Sequence, residues 1–209
     1  QGAFSVNASY YLGLIAYNQK DYANASVYLD KVIEYPDSKF STEAMSMCAS
    51  MAYQDKAYEK ALSLYKRMAD RSTSQEERLQ AETGALRSAA MLNQPEEIIA
   101  SASVLLAHSK LSPELESEAR YYRAKALLNQ NPNEAIQDLT ILAKDTRNVY
   151  GAEAKYLVAQ IYFNEGQTEK AEKEAAKKAE EARIACIKID ENAKKKLAEL
   201  KKMEEKQGE

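Results

Sequence analysis

The chain has no tryptophan, one histidine, two cysteines, four prolines and six glycines among its 209 residues. Each shortage removes a class of protein. With so little Pro and Gly, and no segment of alternating β-branched residues, a turn-rich sheet protein is excluded and an all-α fold is expected. One histidine cannot build a histidine relay or a metal set. His108 lies near an expected helix end beside Ser109 and Lys110, where an imidazole serves the helix dipole. Cys48 and Cys186 fall on core-like positions of different helices and read as two buried, reduced thiols. There is no glycine-rich phosphate loop, no nucleophile elbow and no paired metal ligands. The sequence therefore assigns no catalytic residue, no cofactor-binding residue, no metal ligand and no cofactor, and an enzyme is not expected.

Long apolar runs are missing too. A membrane-spanning helix needs about 18 to 20 apolar residues in succession, and none occurs, so membrane insertion is not expected. The opening QGAFSVNASYY has no basic segment followed by an apolar one, so no secretory signal is read there. Its Gln-Gly start could be the scar of a cleaved tag, in which case the chain would be a fragment of something longer. A formal net charge of −3 supplies no basic face for phosphate, which argues against nucleic acid as a partner. A soluble chain is expected, with cytoplasm and periplasm left open.

What is present is repetition. A small residue returns after a short polar turn at Ala25, Ala61, Ala135 and Ala171, with Ile98 in the middle slot, at steps of 36, 37, 37 and 36 residues. The segments before it are alike: NQKDYANA, QDKAYEKA, LNQPEEI, NQNPNEA and NEGQTEKA. A period of this length marks a helical hairpin that stacks on copies of itself, because one hairpin alone cannot bury its apolar face. Within the first two repeats the apolar residues follow three-and-four spacing: Tyr10, Leu14 and Tyr17, then Ala25, Leu29 and Val32; and Met45, Cys48 and Ala52, then Ala61, Leu64, Tyr65 and Met68. Alanine at the start of the second helix lets two backbones approach closely. The larger Ile98 predicts a shifted or splayed third hairpin.

Breakers and caps set the expected helices at 5–18, 21–35, 40–54, 57–70, 75–92, 95–108, 113–129, 132–145, 150–164 and 168–206. Pro95, Pro113 and Pro132 each suit a first helical turn, where the missing amide is not needed. Glu76-Glu77 and Glu96-Glu97 likewise sit where a helix N-terminus favours negative charge.

These residues resemble the tetratricopeptide repeat family. The resemblance is carried by Leu12-Gly13, Lys20-Asp21-Tyr22, Ala25 and Leu29 in the first repeat. Ala57-Tyr58-Glu59-Lys60-Ala61 and Tyr65 carry it in the second, and Tyr162, Gly166 and Ala171 in the fifth. It covers roughly 6–174, lacks the family's Trp, and has a period two or three residues longer than the usual 34. It implies a right-handed superhelical α-solenoid of about five hairpins, of a degenerate bacterial type, acting as a non-enzymatic protein-interaction scaffold. It also implies that the first helix of each hairpin lines a concave groove. That places Tyr10, Tyr17, Tyr53, Arg87, Arg120, Tyr156 and Phe163 toward a protein or peptide segment. The same tyrosines could equally pack between repeats. The family's clamp for a peptide C-terminal carboxylate is disfavoured, because its slots hold Tyr10, Leu14, Ser46, Ser50, Thr83 and Arg87.

The array is read over 1–174 and a separate tail over 175–209. The tail is nearly all Ala, Lys, Glu, Leu and Ile, with one apolar stripe through Ala175, Ala179, Ala182, Cys186, Ile189, Ala193, Leu197, Leu200 and Met203. Two readings stand. In one, the tail is a designed element on an engineered chimera, made to cap the array or to drive a homodimer through Ile184, Ile187, Ile189, Leu197 and Leu200. In the other, a natural partner-binding array ends in a helix that merely solvates its last face. Asp190-Glu191-Asn192 could break this helix in two.

Overall fold

A computed structural model describes residues 3–144, 149–164, 173, 176 and 177. The described residues form nine helices and no strand: α1 (Ala3–Asn18), α2 (Tyr22–Ile33), α3 (Ser41–Gln54), α4 (Tyr58–Arg71), α5 (Gln75–Leu92), α6 (Pro95–Leu106), α7 (Pro113–Leu127), α8 (Pro132–Lys144) and α9 (Gly151–Asn164). Apart from residues 176 and 177, the tail, with Cys186 and the five residues expected to self-associate, lies outside the described residues.

Local chemistry explains the starts. Asp21, Ser74 and Ser112 are N-caps whose side-chain oxygens accept from the amides of Asn24, Glu77 and Leu115. Each satisfies one amide that the first turn leaves without an intrahelical partner. Pro95 and Pro113 stand in the first turns of α6 and α7, and Pro132 begins α8.

The helix ends repeat more strictly than the sequence suggests. Lys20, Lys56 and Asn93 all adopt positive φ, at 61°, 61° and 51°. They stand 36 and 37 residues apart, the step of the returning small residue. Around each, two backbone bonds close the helix in the same way: Asp21 N to Ala16 O and Lys20 N to Tyr17 O, Ala57 N to Ala52 O and Lys56 N to Tyr53 O, Gln94 N to Ala89 O and Asn93 N to Ala90 O. This is the Schellman closure, in which one left-handed residue turns the chain back on itself. A tyrosine pair brackets each of the first two turns: Tyr17 with Tyr22, tilted at 5.8 Å, and Tyr53 with Tyr58, edge-on at 5.2 Å between ring centres.

The chain divides into two compact units, 1–138 and 139–209. In the first, each helix through α7 packs on the next along the chain, which makes it an α-solenoid. Ala25 and Ala61 are fully buried, as a close-approach position requires. Gly13 shows how close the approach is: a Cβ there would lie 2.6 Å from Leu29 Cγ, and Leu29 itself is fully buried. One core cluster runs from Val6 and Tyr10 through Leu29, Met45 and Met68 to Ala81. A second joins Leu62, Leu86, Ala102, Leu105 and Ala119. Ile98 belongs to this second cluster, together with the alanines at 85, 89 and 102. Burying each Leu or Met of these clusters contributes about 1.5–3 kcal/mol. In the second unit, Leu139 and Leu142 of α8 and Ala154, Val158 and Ile161 of α9 are buried.

Candidate functional site

The first unit contains a cleft of about 430 Å³ lined by Tyr53, Tyr65, Glu76, Leu79, Gln80, Thr83, Gly84, Arg87 and Leu115. Three successive hairpins build it, through the end of α3, the middle of α4, the face of α5 and the start of α7. Gly84 sets its depth, because a Cβ at that position would lie 2.5 Å from the Tyr65 ring. The ring lies directly on the α5 backbone.

Arg87 is the charged centre. Its side chain is 51% exposed, and Nε and Nη2 donate to the two carboxylate oxygens of Glu118 at 2.7 and 2.8 Å. That forked pairing with Glu118 holds the guanidinium pKa above its ordinary value, against the opposing effect of burial. Tyr53 and Tyr122 stand within electrostatic reach of it. Burial raises the hydroxyl pKa values of Tyr53 and Tyr65, so both stay neutral hydrogen-bonding groups. A neutral aromatic wall around a half-exposed, forked cation is suited to seating an apolar side chain beside a carboxylate or amide. Gln80 Nε2 reaches Ser46 Oγ at 3.4 Å at the cleft's rim.

The residues expected in a groove separate into four sets. Tyr53 and Arg87 share this cleft, and half-buried Tyr17 stands within electrostatic reach of its Tyr65. Tyr10 is turned into the core instead: it is 4% exposed, stacks on Phe40 at 3.9 Å with its ring nearly parallel, and burial followed by a bond to Glu43 pushes its pKa up. Arg120 is committed within the unit. Its Nη1 donates to Asp138 Oδ1 at 2.9 Å, and its Nε and Nη2 donate to Glu116. Tyr156 and Phe163 of α9 are 58% and 65% exposed, seven residues apart on one face of that helix in the second unit.

Sequence reasoning missed Tyr65, Glu118 and Tyr122. Tyr65 occupies a second-helix slot, where an aromatic is expected only to pack. Glu118 is 31 residues from Arg87, and no short-range pattern links them. His108 finds its partner in α5, with Nε2 2.6 Å from Glu82 Oε2. Cys48 is buried, and its Sγ lies 3.7 Å from Asp30 Oδ1.

A succession of helical hairpins, closed by repeated left-handed turns and carrying an aromatic cleft across three of them, defines a helical-repeat protein. Residues 7–38 match the family profile described as tetratricopeptide repeat. Among solved structures, the chain is similar to a protein of Podosopora anserina designated a kinesin light chain, with nearly identical TPR-like repeats. That match has a TM-score of 0.51 and 14% identity, over 82% of this chain and 92% of that one. No curated protein matches it by sequence. The first hairpin thus carries a tetratricopeptide repeat, and the fold of the chain is that of TPR-like repeats; repeats of this kind in general mediate protein–protein interaction. No described helix is long and apolar enough to cross a membrane.

Proposed function

We propose that the first unit is a protein-interaction scaffold that seats an extended or helical partner segment in the Tyr53–Tyr65–Arg87 cleft. One observation carries this reading: a half-exposed arginine, prearranged by Glu118, stands between neutral tyrosines in a cleft that spans successive repeats. Tyr and Arg concentrate binding energy at protein interfaces because they combine large area with oriented donors. Tyr17 extends the cleft toward α1, and Tyr156 and Phe163 offer a second aromatic face on α9.

Peptides selected from a displayed random library on the intact chain test this. Tyr53→Ala and Arg87→Ala should each weaken the selected peptides at least about tenfold, which corresponds to about 1.4 kcal/mol. Lys31→Ala, on an exposed position of α2, should leave them unchanged. Binders indifferent to both cleft substitutions, or a library that yields none, would reject the cleft.

For 175–209 the sequence supports a self-association role through Ile184, Ile187, Ile189, Leu197 and Leu200, with an engineered origin the companion reading. Light scattering on the chain, on Ile187→Glu and on a chain ending at Glu174 tests it. A dimer lost in both altered forms supports the role, and a monomer throughout removes it.

A further inference from the structure

The outer face of α1 carries an apolar surface for which the cleft has no use. Phe4 is 92% exposed, Tyr11 54%, Leu12 47% and Ile15 54%. All four stand on one helix of sixteen residues that contains no charged side chain. Four large apolar groups at 4, 11, 12 and 15 fall on one side of a 3.6-residue helix, in the arrangement that elsewhere faces a core.

The repeat register identifies what such a face is for. Moving each position forward by the 36-residue step from Ala25 to Ala61 gives Phe40, Met47, Cys48 and Met51. In the second hairpin these are covered: Met47 is 8% exposed, Cys48 2% and Met51 5%, and Phe40 stacks on Tyr10 of the hairpin before it. One further step of 37 leads from Met47, Cys48 and Met51 to Gly84, Ala85 and Ser88. Ala85 and Ser88 are buried as well, and Gly84 receives the Tyr65 ring from the second helix of the preceding hairpin. In both later hairpins, then, this face of the first helix is where the preceding hairpin's second helix lies. On α1 the same slots hold Phe4, Tyr11, Leu12 and Ile15; Tyr11 meets the edge of Phe40 at 5.6 Å, yet all four stay about half or more exposed, and no described helix lies over them as α2 lies over α3.

We propose that the outer face of α1 is a stacking surface for one further hairpin of this same repeat kind, which would present its second helix to Phe4, Tyr11, Leu12 and Ile15. The expected occupant resembles α2 in chemistry: an amphipathic helix with Leu, Val and Ile at three-and-four spacing, as in Leu29, Val32 and Ile33. The absence of charge on α1 suits this occupant, since no ionic group has to be desolvated when the helix is covered.

The test inserts a tandem copy of residues 5–40 ahead of Ser5, which preserves the 36-residue phase so that Phe40 of the copy takes the place of Phe4. Hydrogen exchange is then followed at the α1 amides. Stacking should slow exchange at Tyr11, Leu12 and Ile15 at least tenfold and raise the melting temperature by several degrees. Leu12→Glu with Ile15→Glu should abolish both gains, while leaving the single-copy chain folded, because both side chains are exposed in it. Unchanged exchange on α1 in the extended chain would overturn the proposal. So would a single-copy chain that dimerises in light scattering and becomes monomeric with Ile15→Glu, since a second copy would then be the occupant.

Discussion

At the residue scale, the three left-handed turns concentrate strain where the repeat needs it. Lys20 and Lys56 hold positive φ with a full side chain, and only Asn93 is of a type that tolerates it well. An L-residue there costs roughly 1–2 kcal/mol, partly offset by the lower chain entropy of lysine relative to glycine in the unfolded state. Lys56→Gly should therefore stabilise the chain by about 0.5–1 kcal/mol in urea denaturation, and a loss of stability would show that the Lys56 side chain contributes contacts that outweigh the strain. Cys48 gives a second prediction. Burial, followed by the nearby Asp30 carboxylate, pushes its thiol up to about 12. Below the ordinary thiol value of about 8.5, the group is neutral whether the chain is folded or not and adds no pH dependence. Between about 8.5 and 12 the unfolded thiol ionises and the native one does not, so the native state loses stability as pH rises through that window. Replacing Cys48 with Ala should flatten the stability profile between pH 8.5 and 10.5, measured in a Cys186→Ser background. An alkaline slope unchanged by the replacement would contradict the assignment.

At the element scale, the most consequential polar contact joins α7 to the middle of α8. Asp138 is 2% exposed and holds two arginines: Arg120 through Oδ1, and Arg123 through both oxygens, at 2.7–2.9 Å. The buried carboxylate is fully satisfied, and removing it would leave two partly buried cations facing an empty site. Breaking such a cluster from one side costs about 3–5 kcal/mol when fully buried, and less here because the arginines are about one-fifth exposed. Asp138→Ala should destabilise the chain by about 2–4 kcal/mol in urea, whereas Glu116→Ala, at the exposed end of the network, should cost less than about 1 kcal/mol. Equal effects would mean the burial of Asp138 contributes nothing. The positions of the elements were legible in the sequence. Caps and prolines placed the described helix ends within about two residues, because those signals act through amides only a few residues away. The ion cluster was not legible. Arg120 was read as a groove residue, and its partner lies 18 residues on, in a helix whose sequence reveals only that Asp138 is acidic. Tyr10 was misplaced for a related reason. Its helical register puts it on the groove side, but Phe40 from the connector after α2 covers it, and connectors carry no periodicity from which such a contact could be read.

At the scale of the molecule, the repeat has an energetic consequence as well as a geometric one. In the first unit each helix packs chiefly on its sequence neighbours, and the two core clusters share only partly buried Tyr65 as a common margin. Stability in such an array is close to a sum of hairpin terms and nearest-neighbour interfaces, in contrast to a globule, whose single core couples every part. Leu86 sits fully buried in the second cluster, and Leu86→Ala should cost about 2–5 kcal/mol through lost transfer energy and the cavity left behind. The effect should be local. Native-state hydrogen exchange should show protection falling in α4, α5, α6 and α7, while the amides of α1 and α2, which belong to the first cluster, change several-fold less. If protection falls equally in all helices of the unit, the two clusters act as one cooperative core. In that case a partner bound at Tyr53 and Arg87 would stiffen the whole unit, whereas independent clusters confine its effect to the hairpins it touches.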